Sequence, residues 1–452
     1  MAADSRSRSS APRDDAGVGS AAARSGRFAT LRRVPWWAVI LSLLVMVSAD
    51  FMVDPVRNAS TFMPVTEVHL VVSSGYLLLA PICNVLDTLT LMSLRQHVAI
   101  LVTLIVLYAA WRGWRGWRGR RRGTGMWREV RAAVIALLSL LAVYAAGALI
   151  PRPMASLAVQ PPFNDVLVVA DFHSHTSYSH DGAPWFSPEA NRRWHHAAGY
   201  DVAYITDHRT VRGAEEGIAN NPPLAGQGTM ILQGLEVVWD GAHVNILGAQ
   251  RMYKGLTDTA LRDVDSTALA LASMVPDHEP IVVYTFPNLM RHLHAANGAG
   301  TAGARAIELV DGSPKGLGDS RRKRPLITSD ADTLNMAMVA GTDNHGWGFT
   351  APGWTLLQIP GWRGMSTDSL SWAIEQSIRH SGFDATEVVE RREANTSLTN
   401  WRLAATVPLV VARMFTMISD NERVSWLIWI WAVVFAQIAW RRRKRGTAAA
   451  AA

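Results

Sequence analysis

The 452-residue sequence predicts an α/β domain carried between α-helical membrane segments. Two patterns predict it. In the middle of the chain, short apolar runs of strand-forming residues end one after another in His, Asp or Glu, with helical stretches between them. That alternation argues for a parallel sheet with crossovers and a barrel-like site at its strand ends. Towards both ends of the chain, long apolar runs stand beside arginine clusters, as at the borders of bilayer-crossing helices.

Composition narrows the class. The chain is 49% hydrophobic with a formal net charge of +7. The excess positive charge sits in the N-terminal tail, in 112–131 and in the C-terminal tail. A uniformly basic surface would suggest nucleic acid. Basic clusters beside apolar runs suggest membrane topology instead, and no nucleic-acid partner is expected. Cys83 is the one cysteine, so no disulfide framework forms within the chain.

Taken in order, 1–33 is a basic tail poor in large apolar side chains and reads as disordered. Residues 34–152 read as a transmembrane region of about three or four helices. Its span candidates are Pro35–Val53, entered by Trp36 and Trp37; Leu70–Leu86, which carries Gly75 and Pro81; the short Val98–Trp111; and Val130–Ile150, ended by Pro151 and Pro153. The Trp-Arg-Gly repeat from Trp111 to Arg122 lies between spans, and 111–128 is expected to be a cytoplasmic loop rather than an RNA- or lipid-binding tract.

The soluble domain is expected over 163–395. After it, 400–420 reads as an amphipathic interfacial helix, with Arg402, Thr406, Arg413, Thr416 and Asp420 on one side. The apolar 424–440 follows as a span, and 441–452 is a basic, then alanine-rich tail. With 112–131 and 441–445 in the cytoplasm, the catalytic domain falls outside it. The expected location is integral and multi-pass, in a bacterial inner or plasma membrane. One difficulty stands: the first 33 residues hold seven arginines against three aspartates. Keeping them inside as well demands an even number of crossings before residue 111, where three candidates stand.

The chemistry begins at Asp171-Phe-His-Ser-His-Thr-Ser-Tyr-Ser-His-Asp-Gly182. Residues i and i+2 of a strand point to one face, so His173 and His175 leave the end of Val166–Ala170 side by side, a geometry suited to a shared metal ion. A helix is expected over Ser187–Ala198. Strands are then expected to end in Asp207-His208 and Glu236, to begin at His243, to run into Phe286-Pro287, and to end near Asp311-Gly312 and in Asp343 and His345. Any one of these pairs has a bland explanation as a turn or an ion pair. Five at strand edges do not.

In this order, His173-x-His175, Thr206-Asp207-His208, Gly234-x-Glu236, His243-Val244 and Thr342-Asp343-Asn344-His345 resemble the PHP (polymerase and histidinol phosphatase) family, over about residues 165–350. Asp-Phe-His-Ser-His-Thr followed by Ser-His-Asp-Gly resembles its carbaryl-hydrolase-like branch. The resemblance implies a distorted (β/α)7 barrel, two or three divalent ions (zinc, manganese or iron) and metal-dependent hydrolysis, most often of phosphoesters. It implies His173, His175, Glu236 and Asp343 around one ion. Glu236 would bridge to a second ion that also takes His243. His208, His345 and either His180 or Asp181 would hold a third, with Asp181 preferred because it precedes Gly182. One position departs from the family: Phe286 stands where a histidine of the second ion is expected. His292 and His294 follow it as possible replacements.

A divalent ion would supply activated water. Arg209 is a candidate for meeting an anionic substrate, against the reading of a surface arginine. Trp347, Trp354 and Trp362 are candidates for a pocket wall or a bilayer-facing surface. The expected partners are the lipid bilayer and a small molecule, phosphorylated or lipid-derived. Phe286 favours a second class of function, a degenerate domain that binds metal or ligand without turnover.

Overall fold

The structure, a computed structural model, describes residues 35–117, 126–239, 242–248, 281–285, 304–392 and 405–450. The chain forms two compact units: one of the N-terminal residues to Val47 together with Trp426–Ala452, the other of Ser48–Ser425. The first contains helix α1 (Trp36–Val47).

The second unit opens with strand β1 (Val56–Asn58), then β2 (Val68–Val72), and short helices α2 (Ser74–Leu78) and α3 (Ala80–Thr90). Two long helices follow, α4 (Leu94–Trp117) and α5 (Met126–Leu149). Strand β3 (Ala155–Val159) pairs antiparallel with β2. The main domain then alternates: β4 (Leu167–Ser174), α6 (Pro188–Ala198), β5 (Val202–Ile205), α7 (Arg212–Ala219), β6 (Met230–Trp239), β7 (Ala242–Leu247), β8 (Ile281–Tyr284) and β9 (Ala304–Asp311). After these come α8 (Gly316–Thr333), β10 (Ala337–Gly341), β11 (Gly353–Gln358), α9 (Thr367–Ser381) and β12 (Thr386–Arg391), then α10 (Thr406–Met417) and α11 (Asp420–Ala450), whose residues from Trp426 on belong to the first unit.

Ten strands form one sheet in the order β1-β12-β11-β4-β5-β6-β7-β8-β9-β10. The sheet curls until its β10 end comes back against β4. The C-terminal half of β4 is bridged to the segment after β10: Asp343 N–H donates to His173 O (2.8 Å), and His175 N–H to Asn344 O (3.0 Å). The N-terminal half of β4 is paired with β11. The result is an α/β half-barrel with the His and acid residues gathered at one rim.

The sheet is mixed, not parallel throughout as expected. β4, β5 and β6 run parallel, as do β8, β9 and β10, but β7 is antiparallel to both of its neighbours. Only Asp240 and Gly241 separate β6 from β7 in sequence. Two residues allow a hairpin and no crossover.

All of β4 is buried. Val168, Ala170 and Phe172 face one core cluster with Tyr204, Leu232 and Val339; the alternate positions Asp171 and His173 face the other way. α6 starts as its sequence directs: Ser187 caps it through Oγ, which accepts from Ala190 N–H (3.2 Å), and Gly199 (φ 87°) ends it in the left-handed conformation.

The apolar stretch Leu70–Leu86 does not form a span. It is the end of β2, then α2, then most of α3, and it packs on the domain. Polar side chains within it and just after it explain why. Asp87 is buried and binds Arg152 (3.0 Å), Arg391 (2.8 Å), Thr350 Oγ1 (2.8 Å) and Tyr76 OH (2.9 Å). Hydropathy registers Leu, Val and Pro81 but not where these polar partners converge. The domain therefore begins well before residue 163, since β1 completes the sheet edge. The Trp-Arg-Gly tract is also helical as far as Trp117, because no proline or β-branched run interrupts it there; 118–125 lies outside the described residues. So do the expected tail 1–33 and the start of the expected interfacial helix, whose described part is α10. Among the described residues, three helices are long and apolar enough to cross a membrane: Leu94–Trp114, Trp127–Leu149 and Asp420–Lys444, while Trp36–Phe51 is shorter.

Candidate metal centre

The rim at the ends of β4, β5, β6 and β10 collects eight His and acid side chains. His173 Nε2 stands 3.1 Å from His175 Nε2, 2.9 Å from Glu236 Oε2 and 3.4 Å from Asp343 Oδ1. His175 Nε2 is 3.1 and 3.2 Å from the same two oxygens. Four donors about 2.0–2.1 Å from a tetrahedral ion stand roughly 3.3 Å from one another. His173, His175 and Glu236 form one converging group whose donor atoms all lie within 4.8 Å of one another, with Asp343 Oδ1 beside both imidazoles, and imidazoles with carboxylates suit a borderline metal.

Asp181 Oδ2 lies 3.2 Å from both His208 Nε2 and His345 Nε2. With His175 they make a second converging group, whose donor atoms all lie within 4.8 Å of one another. Glu236 joins a third group with His208 and His243; its Oε1 bonds His243 Nδ1 while its Oε2 serves the first. The eight residues picked from the sequence, His173, His175, Asp181, His208, Glu236, His243, Asp343 and His345, are thus brought together. His180 is not: its side chain remains 77% exposed. Gly182 lets the turn after Asp181 close, because a Cβ there would stand 1.9 Å from Thr176 O.

Charge holds the group in an unusual state. Burial pushes the His173 pKa down, but Glu236, Glu308 and Asp343 outweigh it and hold it well above the ordinary value. His175 is likewise buried, yet the bonds to Asp343 and Glu236 bring it up to about 9. Burial opposes ionisation of Glu236, and His173, His175 and His243 overcome it, so its carboxyl stays well below the usual range. Four or more acids facing five imidazoles make a polar hollow in which a cation would replace protons.

The supporting residues escaped the sequence reading. Glu308, wholly buried on β9, places Oε1 2.7 Å from His173 Nδ1. Such a carboxylate fixes the tautomer and aims Nε2 at the centre. Gly341 leaves it room, since a Cβ there would come within 2.3 Å of Glu308 Oε1 and 2.6 Å of His173 Cβ. Beneath, Asp171 binds His195 Nε2 (2.7 Å) and accepts from Thr342 N–H (2.9 Å) and Thr342 Oγ1–H (2.6 Å). Asp207 accepts from Thr176 N–H and Oγ1–H, both at 2.6 Å. A carboxylate at mid-strand in Ala306-Ile-Glu-Leu-Val310 was the signal available for Glu308. Asp343 (φ 47°) and Arg209 (φ 58°) adopt left-handed backbone, rare for such residues and frequent beside functional sites.

Arg209 follows His208 with its side chain exposed. Trp354 and Trp362 are buried in the core and form no surface, whereas Trp347 is 48% exposed and packs edge-on against Trp185. Phe286, His292 and His294 lie outside the described residues.

No protein-family model matches the chain, and no curated protein matches it. Among solved structures, it is similar to PsfC from Pseudomonas syringae PB-5123, at 17% identity over 55% of this chain and 98% of that one, with a TM-score of 0.34. An amidohydrolase from Chromobacterium violaceum is similar at 17% identity over 39% of this chain and 87% of that one, with a TM-score of 0.28. A two-domain protein from Bacteroides vulgatus, containing a predicted PHP-like metal-dependent phosphoesterase, is similar at 12% identity over 45% of this chain and 63% of its own, with a TM-score of 0.26.

Proposed function

We propose that the chain is a membrane-anchored, metal-dependent hydrolase acting on phosphoesters. One observation carries the reading: the buried imidazole nitrogens of His173 and His175 and an oxygen of Glu236 stand 2.9–3.1 Å from one another, and Asp343 Oδ1 stands 3.2–3.4 Å from both imidazoles. His173, His175, Glu236 and Asp343 would hold one divalent ion, and Asp181, His208, His345 and His243 would extend the cluster around the shared Glu236. Bound there, divalent ions would acidify water and neutralise charge on the reacting oxygens. In the reaction, the water oxygen forms a bond to phosphorus, the bond to the alcohol oxygen breaks, and the water's proton ends on the departing alcohol.

The chain's own residues do the positioning. Glu308 fixes the imidazole of His173, and Thr342, held by Asp171, fixes the loop bearing Asp343. Arg209, exposed and next to His208, is assigned to meeting an anionic substrate.

The membrane reading is supported by charge. With Leu70–Leu86 folded onto the domain, the basic tail 1–33 and 112–131 both fall on the cytoplasmic side if α1, α4, α5 and α11 each cross once. The arginines after Trp440 fall there too, and the domain is extracytoplasmic. Phe286 favours a second reading, binding of metal or ligand without turnover.

The test is metal content and hydrolysis by the purified full chain, over phosphomonoesters, phosphodiesters, carboxylic esters and carbamates. Bound divalent metal with phosphoester hydrolysis lost in His173→Ala is the expected result. Metal without turnover on any ester selects the second reading, and no metal with His173→Ala unchanged rejects both.

A further inference from the structure

A cavity of about 530 Å³ opens on the metal centre, and it does not end in solvent alone. Asp181, Asp343 and His345 form one wall. The opposite wall belongs to the helices that read as membrane spans: His97 of α4, and Tyr144, Gly147 and Ala148 of α5. Leu86, Leu89 and Leu317 line the passage between them. The volume lies in the range that encloses a drug-sized molecule.

The two walls are fastened together. Gly348 N–H, three residues past His345, donates to Ala148 O (3.0 Å) at the end of α5. Leu94 N–H, at the start of α4, donates to Pro314 O (3.2 Å) in the loop after β9. His97 Nδ1 and Tyr144 OH meet at 2.8 Å, so the polar groups of this wall are satisfied by each other and leave it otherwise apolar. Gly147 sits so close to Leu86 that a Cβ would stand 2.9 Å from Leu86 Cδ2, so glycine lets α3 pack closely against α5 where both line the cavity. Near the mouth, the exposed indoles of Trp185 and Trp347 pack at 4.9 Å between centroids, the side chain type that settles at a bilayer surface.

A soluble phosphoester has no use for a passage from metal ligands to span residues. We infer that the substrate is an amphiphile: a phosphorylated headgroup bound at the metal centre, with a hydrocarbon chain running past Leu86 and Gly147 along α5. This rests on the hydrolase reading above and adds the substrate class. The source of the headgroup chemistry, a bilayer lipid or a free phosphoester, is what the experiment separates.

The full chain in phosphatidylcholine vesicles is offered matched pairs, one member with acyl chains and one without: phosphatidic acid and glycerol 3-phosphate, phosphatidylglycerol and glycerophosphoglycerol. For the hydrolysed pair, kcat/KM is expected to be more than tenfold higher for the chain-bearing member, and Gly147→Trp or Thr90→Trp to cut that ratio at least tenfold. Thr90 is an exposed residue of the same cavity, so its variant tests the passage with little demand on the fold. Equal or better hydrolysis of the chain-free member overturns the inference and leaves the hydrolase reading standing.

A second readout needs no turnover. Metal-free protein is photolabelled with phosphatidic acid carrying a diazirine at its chain end. Labelling of peptides holding Leu86 or Tyr144, reduced tenfold in Thr90→Trp, supports the inference even if hydrolysis fails. Label spread along the outer faces of α4 and α5, unchanged in the variant, overturns it.

Discussion

Glu308 and His173 are joined at 2.7 Å, 135 residues apart in sequence, with both side chains buried. The carboxylate accepts from Nδ1–H and leaves Nε2 to face Glu236 and Asp343. A histidine held this way has one nitrogen available and one direction in which to use it.

Replacing Glu308 should therefore weaken metal binding without removing a ligand. Glu308→Gln keeps an acceptor of the same shape but no charge, and Glu308→Ala removes both. Metal affinity is expected to fall about 10–100-fold, more in the alanine variant, by competition against a chelator of known affinity. Equal affinity in all three proteins would show that the contact does not orient His173.

Asp181 and His180 should separate cleanly. Asp181→Asn removes the carboxylate shared by His208 and His345 and is expected to lower metal stoichiometry by about one ion per chain, read by elemental analysis. His180→Ala, at an exposed position, should leave the stoichiometry of wild type. The reverse outcome would reassign the ligand.

Asp87→Ala should destabilise the domain rather than the centre. It leaves the largely buried guanidiniums of Arg152 and Arg391 without their shared carboxylate, a loss of about 3–5 kcal/mol by the behaviour of broken buried pairs. Thermal unfolding of the Asp87→Ala and Asp87→Asn proteins in detergent measures it, and a shift too small to resolve would contradict the assignment of this segment to the domain.

Stability should fall with pH through a group far from the metal. Burial raises the Asp201 carboxyl to about 7, against a smaller opposing effect of the bond from Val169 N–H. Between the unfolded carboxylate value and about 7, the folded state holds a proton that the unfolded state has lost. The stability this contributes is present at low pH and declines as pH rises through that window. Asp201→Asn should flatten that decline between pH 4 and 7 in denaturant titrations. An unchanged slope would remove Asp201 as its source.

The ligands were legible because strand alternation and strand ends are local features: His173 and His175 share a face by period alone, and Asp343 and His345 follow an apolar run. The carboxylate behind them was not. Glu308 lies mid-strand among Ile, Leu and Val, where only the three-dimensional position of β4 reveals its partner. The antiparallel β7 was visible in the two-residue link to β6, but the surrounding alternation of strands and helices argued for crossovers. Leu70–Leu86 misled for the opposite reason. Its apolar content matches a span, and what places it on the domain is a set of contacts from Asp87 and Asn84 to Arg391 and Glu422, more than 300 residues away.

The edge strand β1 has a consequence for how this protein is made. Arg57 is bonded to Glu390, which comes 333 positions later in the order of synthesis. At about 5–20 residues per second, the ribosome delivers that partner roughly 20–70 s later. Throughout that interval β1 is an unpaired edge bearing a lone cation, while the helical pair α4–α5 has already emerged behind it. The last strand of the domain to be translated covers the first, so a chain stopped anywhere before Glu390 carries an open β edge, ready for a chaperone or for another unfinished copy.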